Sequence, residues 1–352
     1  MTDFRSDNTG RAAPEILDAL IAANTGTALG YGADEWTARL QQRYSELFET
    51  AVRVFPVATG TAANALSLAA LGPSWGLVYC SELAHINTSE ANAAGFFGGG
   101  LKLAPVPGAF GRVDAEALSR LLAAILPGQI HRGVPVAVNL TQATDLGGVY
   151  SLDEVRAVSE VAKARGLKVH MDGARFANAL VRMNASPAEI TWKAGVDVLS
   201  FGATKAGALA AEAVVYFDKA MAANMGERRK RAGHLLSKHR FLSLQFDAFL
   251  KNDCWLRLAR HANAMADRLA AGLAAVGRSP VWPVEANLVF IVLPKAVETR
   301  LKTAGARFYV RHSESLPDHI KLASDQCLIR LVTSFATRDD EVDRFVALAA
   351  KV

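Results

Sequence analysis

Cysteine is scarce: there are three, Cys80, Cys254 and Cys327, in 352 residues. An odd number spaced this widely supports neither a disulfide framework nor a zinc site, and it suits a reducing compartment. Cys80 and Cys327 sit in apolar, strand-like runs, where a buried inert thiol is expected. The N-terminal MTDFRSDNTG carries no apolar signal-like stretch, and no run long enough to cross a bilayer is free of charge. The chain therefore reads as a soluble, cytoplasmic protein without signal peptide or membrane span. Internal repeats, heptads, low-complexity tracts and metal-ligand spacings are all missing, so no metal is expected. No GxGxxG follows the first strand, which argues against a nicotinamide-binding unit.

What is present is ample apolar material, 51% hydrophobic against 21% charged, which excludes disorder and suits one large α/β domain plus a smaller one. A net charge of +5 and a pI near 9.1 invite a nucleic-acid partner. Most of the positive charge, however, is dispersed through patterned helices. Only ERRKRAGHLLSKHR at 227–240 clusters, and Arg228 to Arg231 within it read as a solvated face. No nucleic-acid or membrane partner is expected.

The stretch 166–206 organises the rest. A short apolar run at 169–171 enters Asp172, and another at 196–201 enters a turn holding Thr204 and Lys205. An acid at one strand end and an amine just past the next place opposite charges at one rim of a parallel sheet, where open α/β sheets bind ligands. A pyridoxal phosphate (PLP) enzyme needs this pair: an amine to bind the cofactor and a carboxylate to keep the pyridine nitrogen protonated.

Around it, strands are expected at 52–57, 77–80, 101–106 and 134–140, with 212–217 closing the sheet late. Helices are expected at 14–23, 35–48, 62–71, 114–126 and 151–165, and a capped helix start at 186–189. The strand–helix–strand order implies right-handed crossovers and a mainly parallel sheet. Residues 219–276 read as helical with short breaks. Beyond about 279 come strands at 287–293, 307–309 and 327–332 with helices at 295–303 and 338–350. The turn Ala58-Thr59-Gly60-Thr61 before a helix reads either as an ordinary N-cap or as an anion cradle of free N–H groups and hydroxyls.

HMDGAR at 170–175, followed by ATK at 203–205, resembles the fold-type I PLP enzymes and, within them, the low-specificity L-threonine aldolase family. Further matches run in family order over most of the chain: FRSD at 4–7 for LRSD, YGAD at 31–34 for YGED, TGT at 59–61 for SGT, His85-Ile86 for the SHI segment, and RLVT at 330–333 for RLVTH. The resemblance implies a transferase-like α/β fold with a seven-stranded, mainly parallel sheet covered by helices, plus a small C-terminal α+β domain. It divides the chain into an arm and first helix (1–30), a large PLP-binding domain (31–245), and a linker helix with the small domain (246–352).

By the same resemblance Lys205 holds PLP, with Thr204 beside it, Asp172 meets the ring nitrogen and His85 stacks on the ring. Thr59, Gly60 and Thr61 take the phosphate together with Arg240, or with Lys238 as second choice. Arg330, Arg175 and Ser6 clamp the substrate carboxylate, with Arg175 also on the cofactor side, and Tyr31 borders the pocket from its own or a neighbouring subunit. Gln142 stands where many members have histidine; it can hydrogen-bond a substrate but cannot act as a base.

The implied reaction splits a β-hydroxy-α-amino acid, such as L-threonine or L-allo-threonine, into glycine and an aldehyde. His85, directly or through water, takes the hydroxyl proton. A homodimer or homotetramer with shared active sites is expected. Two alternatives stand beside it: another PLP lyase, either β-eliminating or of phenylserine type, and a basic binding protein using 227–240. Glycine against pyruvate or ammonia as product separates the lyases, and salt-dependent DNA retention tests the binder.

Overall fold

The structure is a computed structural model that describes residues 2–126, 128 and 130–350. Its strands are β1 (Arg53–Val57), β2 (Gly76–Ser81), β3 (Lys102–Val106), β4 (Val134–Thr141), β5 (Lys168–Gly173), β6 (Val198–Gly202), β7 (Glu212–Tyr216), β8 (Leu288–Pro294), β9 (Tyr309–Arg311) and β10 (Gln326–Val332). The first seven form one sheet in the order β1-β7-β6-β5-β4-β2-β3, and the last three a second, antiparallel sheet in the order β8-β10-β9. No helix among the described residues is long and apolar enough to cross a membrane.

In the large sheet β3, β2, β4, β5 and β6 run parallel, as their helical crossovers dictate. The run at 212–217, expected to close the sheet, lies inside it: β7 is antiparallel to both β6 and β1. Only nine residues separate β6 from β7, too few for a crossover helix, so the chain turns straight back. Two reversals leave β1 pointing the same way as β6. The C-terminal ends of β1, β2, β5 and β6 and the N-terminal end of β7 therefore share one rim.

Two other expectations are corrected. At 186–189 the reciprocal hydrogen bonds of a capped start do form: Ser186 N–H donates to Glu189 Oε2 at 2.8 Å, and Glu189 N–H to Ser186 Oγ at 3.2 Å. No α-helix follows. Thr191 is non-helical, and Gly195 at φ 102° ends a single 3-10 turn, Trp192–Ala194, before β6 begins. The strand expected at 307–309 starts two residues later, at Tyr309, because the N-terminal arm occupies Arg307. Arg307 N–H donates to Thr2 O at 2.9 Å, and Phe4 N–H donates to Arg307 O at 2.8 Å.

The main core packs helices on the large sheet around Tyr44, Phe48, Phe176, Phe201, Phe246 and Trp255. A second core joins the small sheet to the helices Lys295–Thr303 and Asp339–Ala350, and takes in Phe4 from the arm. The long helix Cys254–Ala275 serves both: its start (Trp255, Leu258) lies in the first core and its end (Leu269, Leu273) in the second. Both sheets are thus anchored to one rigid rod, and the arm is held at the seam between them.

Candidate active site

A cavity of about 250 Å³ opens at the rim described above. From the turn after β1 and the start of the helix it leads into come Ala58, Thr59, Gly60 and Thr61; from the segment after β2, His85 and Glu90; from β5, Asp172; from the turn after β6, Thr204 and Lys205; from the start of β7, Glu212. Asn64, Asn8 and Ala174 complete the lining.

Thr59 is extended and caps the helix Gly60–Ala69, its hydroxyl accepting from Ala62 N–H at 3.2 Å. The N–H groups of Gly60 and Thr61 precede the first intrahelical acceptor and point from a positive helix end. A Cβ on Gly60 would meet nothing within 4 Å, so space stands over these donors. Beneath them, Ala58 N–H donates to His234 Nδ1 at 3.2 Å, which keeps that imidazole neutral at Nδ1.

Asp172 is buried at the end of β5 and accepts two hydrogen bonds, Ala174 N–H on Oδ1 at 3.0 Å and Asn64 Nδ2 on Oδ2 at 2.9 Å. Behind it, Asn139, His170 and Ser200 are hydrogen-bonded across β4, β5 and β6 at 2.8 and 2.9 Å. Burial drives the His170 imidazole down to about 4, so it is a neutral structural member of the sheet. Lys205 lies in the 3-10 turn Thr204–Ala206, half-buried and without an ion-pair partner among the described residues.

His85 opens the short helix His85–Thr88, with Nδ1 2.8 Å from Glu90 Oε1. That hydrogen bond raises the imidazole's pKa against the effect of burial, helped by Asp145 and Asp172 and opposed by Lys205. Burial raises Glu90 and Asp145, and lifts Glu212 to about 7. The rim thus concentrates acids whose affinity for a proton is raised by enclosure, a pattern common at reacting sites.

The remaining expected residues lie outside the lining. Arg175 is buried and its fork is already filled: Nε donates to Asp7 Oδ2 at 2.8 Å and Nη2 to Asp7 Oδ1 at 3.1 Å. Asn287 Nδ2 adds a bond to the same acid at 3.1 Å. Burial would raise Asp7, but the charges of Arg175 and Lys205 together with these bonds bring it below the usual carboxylate range. Ser6, beside it, caps a 3-10 turn by accepting from Asn8 N–H at 3.2 Å. Arg330, on β10, donates to Arg5 O at 3.2 Å. Its Nε is buried without a partner, and no acid pairs with it among the described residues. Burial, then the neighbouring Arg175 and Arg311, lowers it to about 10, so it stays cationic at neutral pH.

Gln142, expected to hydrogen-bond a substrate, lies outside the lining. Its amide is spent on one backbone residue: Nε2 donates to Tyr150 O at 2.9 Å, and Oε1 accepts from Tyr150 N–H at 3.0 Å. It braces the loop after β4 and does not line the cavity; the acid of that loop whose charge acts on His85 is Asp145. Tyr31 is 56% exposed, under Lys230 at 4.4 Å from its ring centroid, and does not border this chain's own cavity. Arg240 begins the helix Arg240–Leu250 with its guanidinium over Phe241 and is not part of the lining. The solvated face expected for Arg228 to Arg231 fails at Arg229, which is buried and donates to Pro56 O at 3.3 Å behind β1.

Glu90, Asn64, Asp7 and Glu212 are the residues that sequence reasoning passed over. Glu212 alone left a signal: a charged residue opening the fully apolar run Ala-Val-Val-Tyr.

The donor set fits PLP: free N–H groups at a helix N-terminus for a phosphate, a doubly hydrogen-bonded carboxylate for a ring nitrogen, an unpaired amine, and a flat imidazole on the wall. The sequence pattern of the β-eliminating lyase family matches residues 3–296. The chain is similar to the low specificity L-threonine aldolase of Pseudomonas aeruginosa, 45% identical over 314 residues, covering 88% of this chain and 90% of that protein. It is also similar to the low specificity L-threonine aldolase of Saccharomyces cerevisiae, 24% identical over 338 residues, 91% of this chain and 85% of that one. Among solved structures, the threonine aldolase of Leishmania major superposes with a TM-score of 0.92 at 29% identity, covering 99% of this chain and 98% of that one. Serine palmitoyltransferase of Sphingomonas wittichii superposes with a TM-score of 0.73 at 14% identity, covering 99% and 86%, a likeness of fold alone.

Proposed function

This chain belongs to the β-eliminating lyase family, as a PLP-dependent carbon–carbon lyase of threonine aldolase type, and from that premise we propose how its own residues divide the work. The reaction is retro-aldol cleavage of β-hydroxy-α-amino acids, L-threonine and L-allo-threonine among them, to glycine and an aldehyde. The observation that carries the assignment of residues is that one cavity joins the unpaired Lys205 amine, the doubly bonded Asp172 carboxylate and the open N–H cradle at Gly60 and Thr61.

Lys205 holds the cofactor, with Thr204 fixing the turn through Ala211, whose N–H donates to its hydroxyl at 3.1 Å. Gly60 and Thr61 take the phosphate, and Thr59 keeps the cradle in shape. Asp172 keeps the ring nitrogen protonated, and PLP bound there supplies the sink for the electron pair released when the Cα–Cβ bond breaks. His85 lines the cavity and would form the wall beside the bound cofactor. With Nδ1 held by Glu90, its Nε2 is the atom left to accept the hydroxyl proton.

Arg330 grips the amino-acid carboxylate. Its buried, unpartnered Nε and lack of an acid leave a fork that an incoming carboxylate satisfies. Arg175 then acts through Asp7 and the arm, behind Arg330 and Ser6, and the grip turns the Cα–Cβ bond toward the cofactor face.

A symmetric homo-oligomer with shared sites accounts for Tyr31, which is exposed here beside the exposed Leu29. Three free, buried cysteines suit the cytoplasm. The two sheets, each with its own core, support a large and a small unit, while Ala13, Ile16 and Phe246 to Ala259 pack in the large unit's core across the bounds 1–30, 31–245 and 246–352. Lys205→Ala is expected to abolish covalent retention of PLP after borohydride treatment, and to lower glycine release from L-threonine by several orders of magnitude. Full retention by that variant would remove Lys205 from its role.

A further inference from the structure

One acid in the cavity wall has so far been given only its contact with His85 Nδ1. The Glu90 side chain is fully enclosed, yet one of its oxygens, Oε2, has no hydrogen-bond partner. Its other oxygen, Oε1, lies 2.8 Å from His85 Nδ1 and 2.8 Å from Asn64 Nδ2. The same Asn64 nitrogen lies 2.9 Å from Asp172 Oδ2. Two carboxylate oxygens facing one amide group require its NH2, since a carbonyl oxygen could donate to neither. The backbone is bent to bring this about. Immediately after Glu90, Ala91 and Asn92 both adopt left-handed conformations, φ 47° and 57°, which turn the chain and hold Glu90 inward.

We infer that Glu90 is the positioning residue for proton transfer at His85, and that Asn64 ties it to Asp172, so that the proton acceptor and the acid meeting the cofactor ring form one hydrogen-bonded chain. The inference rests on His85 being the proton acceptor. A carboxylate on Nδ1 fixes the tautomer with hydrogen there, leaving the Nε2 lone pair free. When Nε2 takes the substrate's hydroxyl proton, the imidazolium formed faces Glu90, and the charge is compensated where it arises. The groups that face His85 are Glu90 from the following turn, Asp145 from the loop after β4, Asp172 from β5 and Lys205 from the turn after β6.

The test uses holoenzyme carrying Glu90→Gln, an isosteric change, with His85→Asn as control. Removing the negative charge lowers the affinity of His85 for its proton, so the acid limb of kcat/KM moves down by about one to two pH units. The kcat falls about 10- to 100-fold, the range expected when a histidine loses the carboxylate that orients it, while KM for L-threonine stays within about twofold. A ¹⁵N-histidine NMR titration reads the same fall in the His85 midpoint without recourse to activity, and Glu90→Asp restores part of it. An unmoved midpoint and limb in Glu90→Gln, with His85→Asn inactive, overturns the inference alone. Full cleavage by His85→Asn instead removes the proton acceptor on which it rests. Should Glu90→Gln not fold, the wild type decides: a downfield Nδ1 proton that disappears in His85→Asn supports the pairing, and its absence overturns it.

Discussion

Burial at the rim acts on single charges in a way that pH exposes. Glu212 is enclosed, and burial lifts its carboxyl from 4.5 to about 7. The folded state therefore keeps a proton that the unfolded chain releases, and the stability it contributes is complete below about 4.5 and lost as pH rises through about 7. The shift corresponds to about 3 kcal/mol at most. Glu212→Gln is expected to flatten that loss, read as urea midpoints of variant and wild type over about pH 5 to 8. Because Glu90 and Asp145 are raised in both proteins, the difference isolates Glu212. This behaviour could not be read from the sequence, where Glu90 looks like an ordinary polar position and Glu212 stands out only as a charge opening an apolar run. The meeting of Asp172, Lys205 and His85 in one cavity was legible because each sits in a short motif at or shortly after the end of a strand. Gln142 was misjudged for the complementary reason: its place in the motif was visible, but the backbone of Tyr150 that absorbs its amide was not.

At the level of elements, the helix Gly60–Ala69 does double work, as core layer and as anion site, and Thr59 controls both. Thr59→Ala is expected to cost about 1 kcal/mol of unfolding free energy by loss of the cap. It should also weaken PLP binding, measured by equilibrium dialysis, with Thr59→Ser recovering both. An affinity for PLP unchanged in Thr59→Ala would separate the cap from the cradle. Most helices and strands were readable because their period and caps agreed, as with the capping box of Leu152–Lys163. The failures share one cause, competition from outside the element. Arg307 left its strand because the arm claimed its backbone, and the capped start at 186 gave way to a turn because β6 had to begin.

For the whole molecule, the arm is the joint. Phe4 is buried in the second core against Phe345, and Val332 N–H donates to Phe4 O at 2.9 Å. Three residues on, Asp7 fills the Arg175 fork beside the cavity. Phe4→Ala is expected to cost about 3–5 kcal/mol by leaving a cavity, and to raise KM for L-threonine, because the same arm aligns Asp7 and Ser6. A lowered thermal midpoint with unchanged KM would show that the joint is only mechanical. The interleaving of β7 has a consequence for synthesis. Val57 pairs with Glu212, so when a ribosome has just released the first strand, more than a hundred residues must still emerge before that strand has a neighbour. The phosphate cradle follows directly on it. The nascent chain should therefore be unable to capture vitamin B6 until its translation is well past the midpoint, which makes cofactor uptake a late checkpoint of maturation.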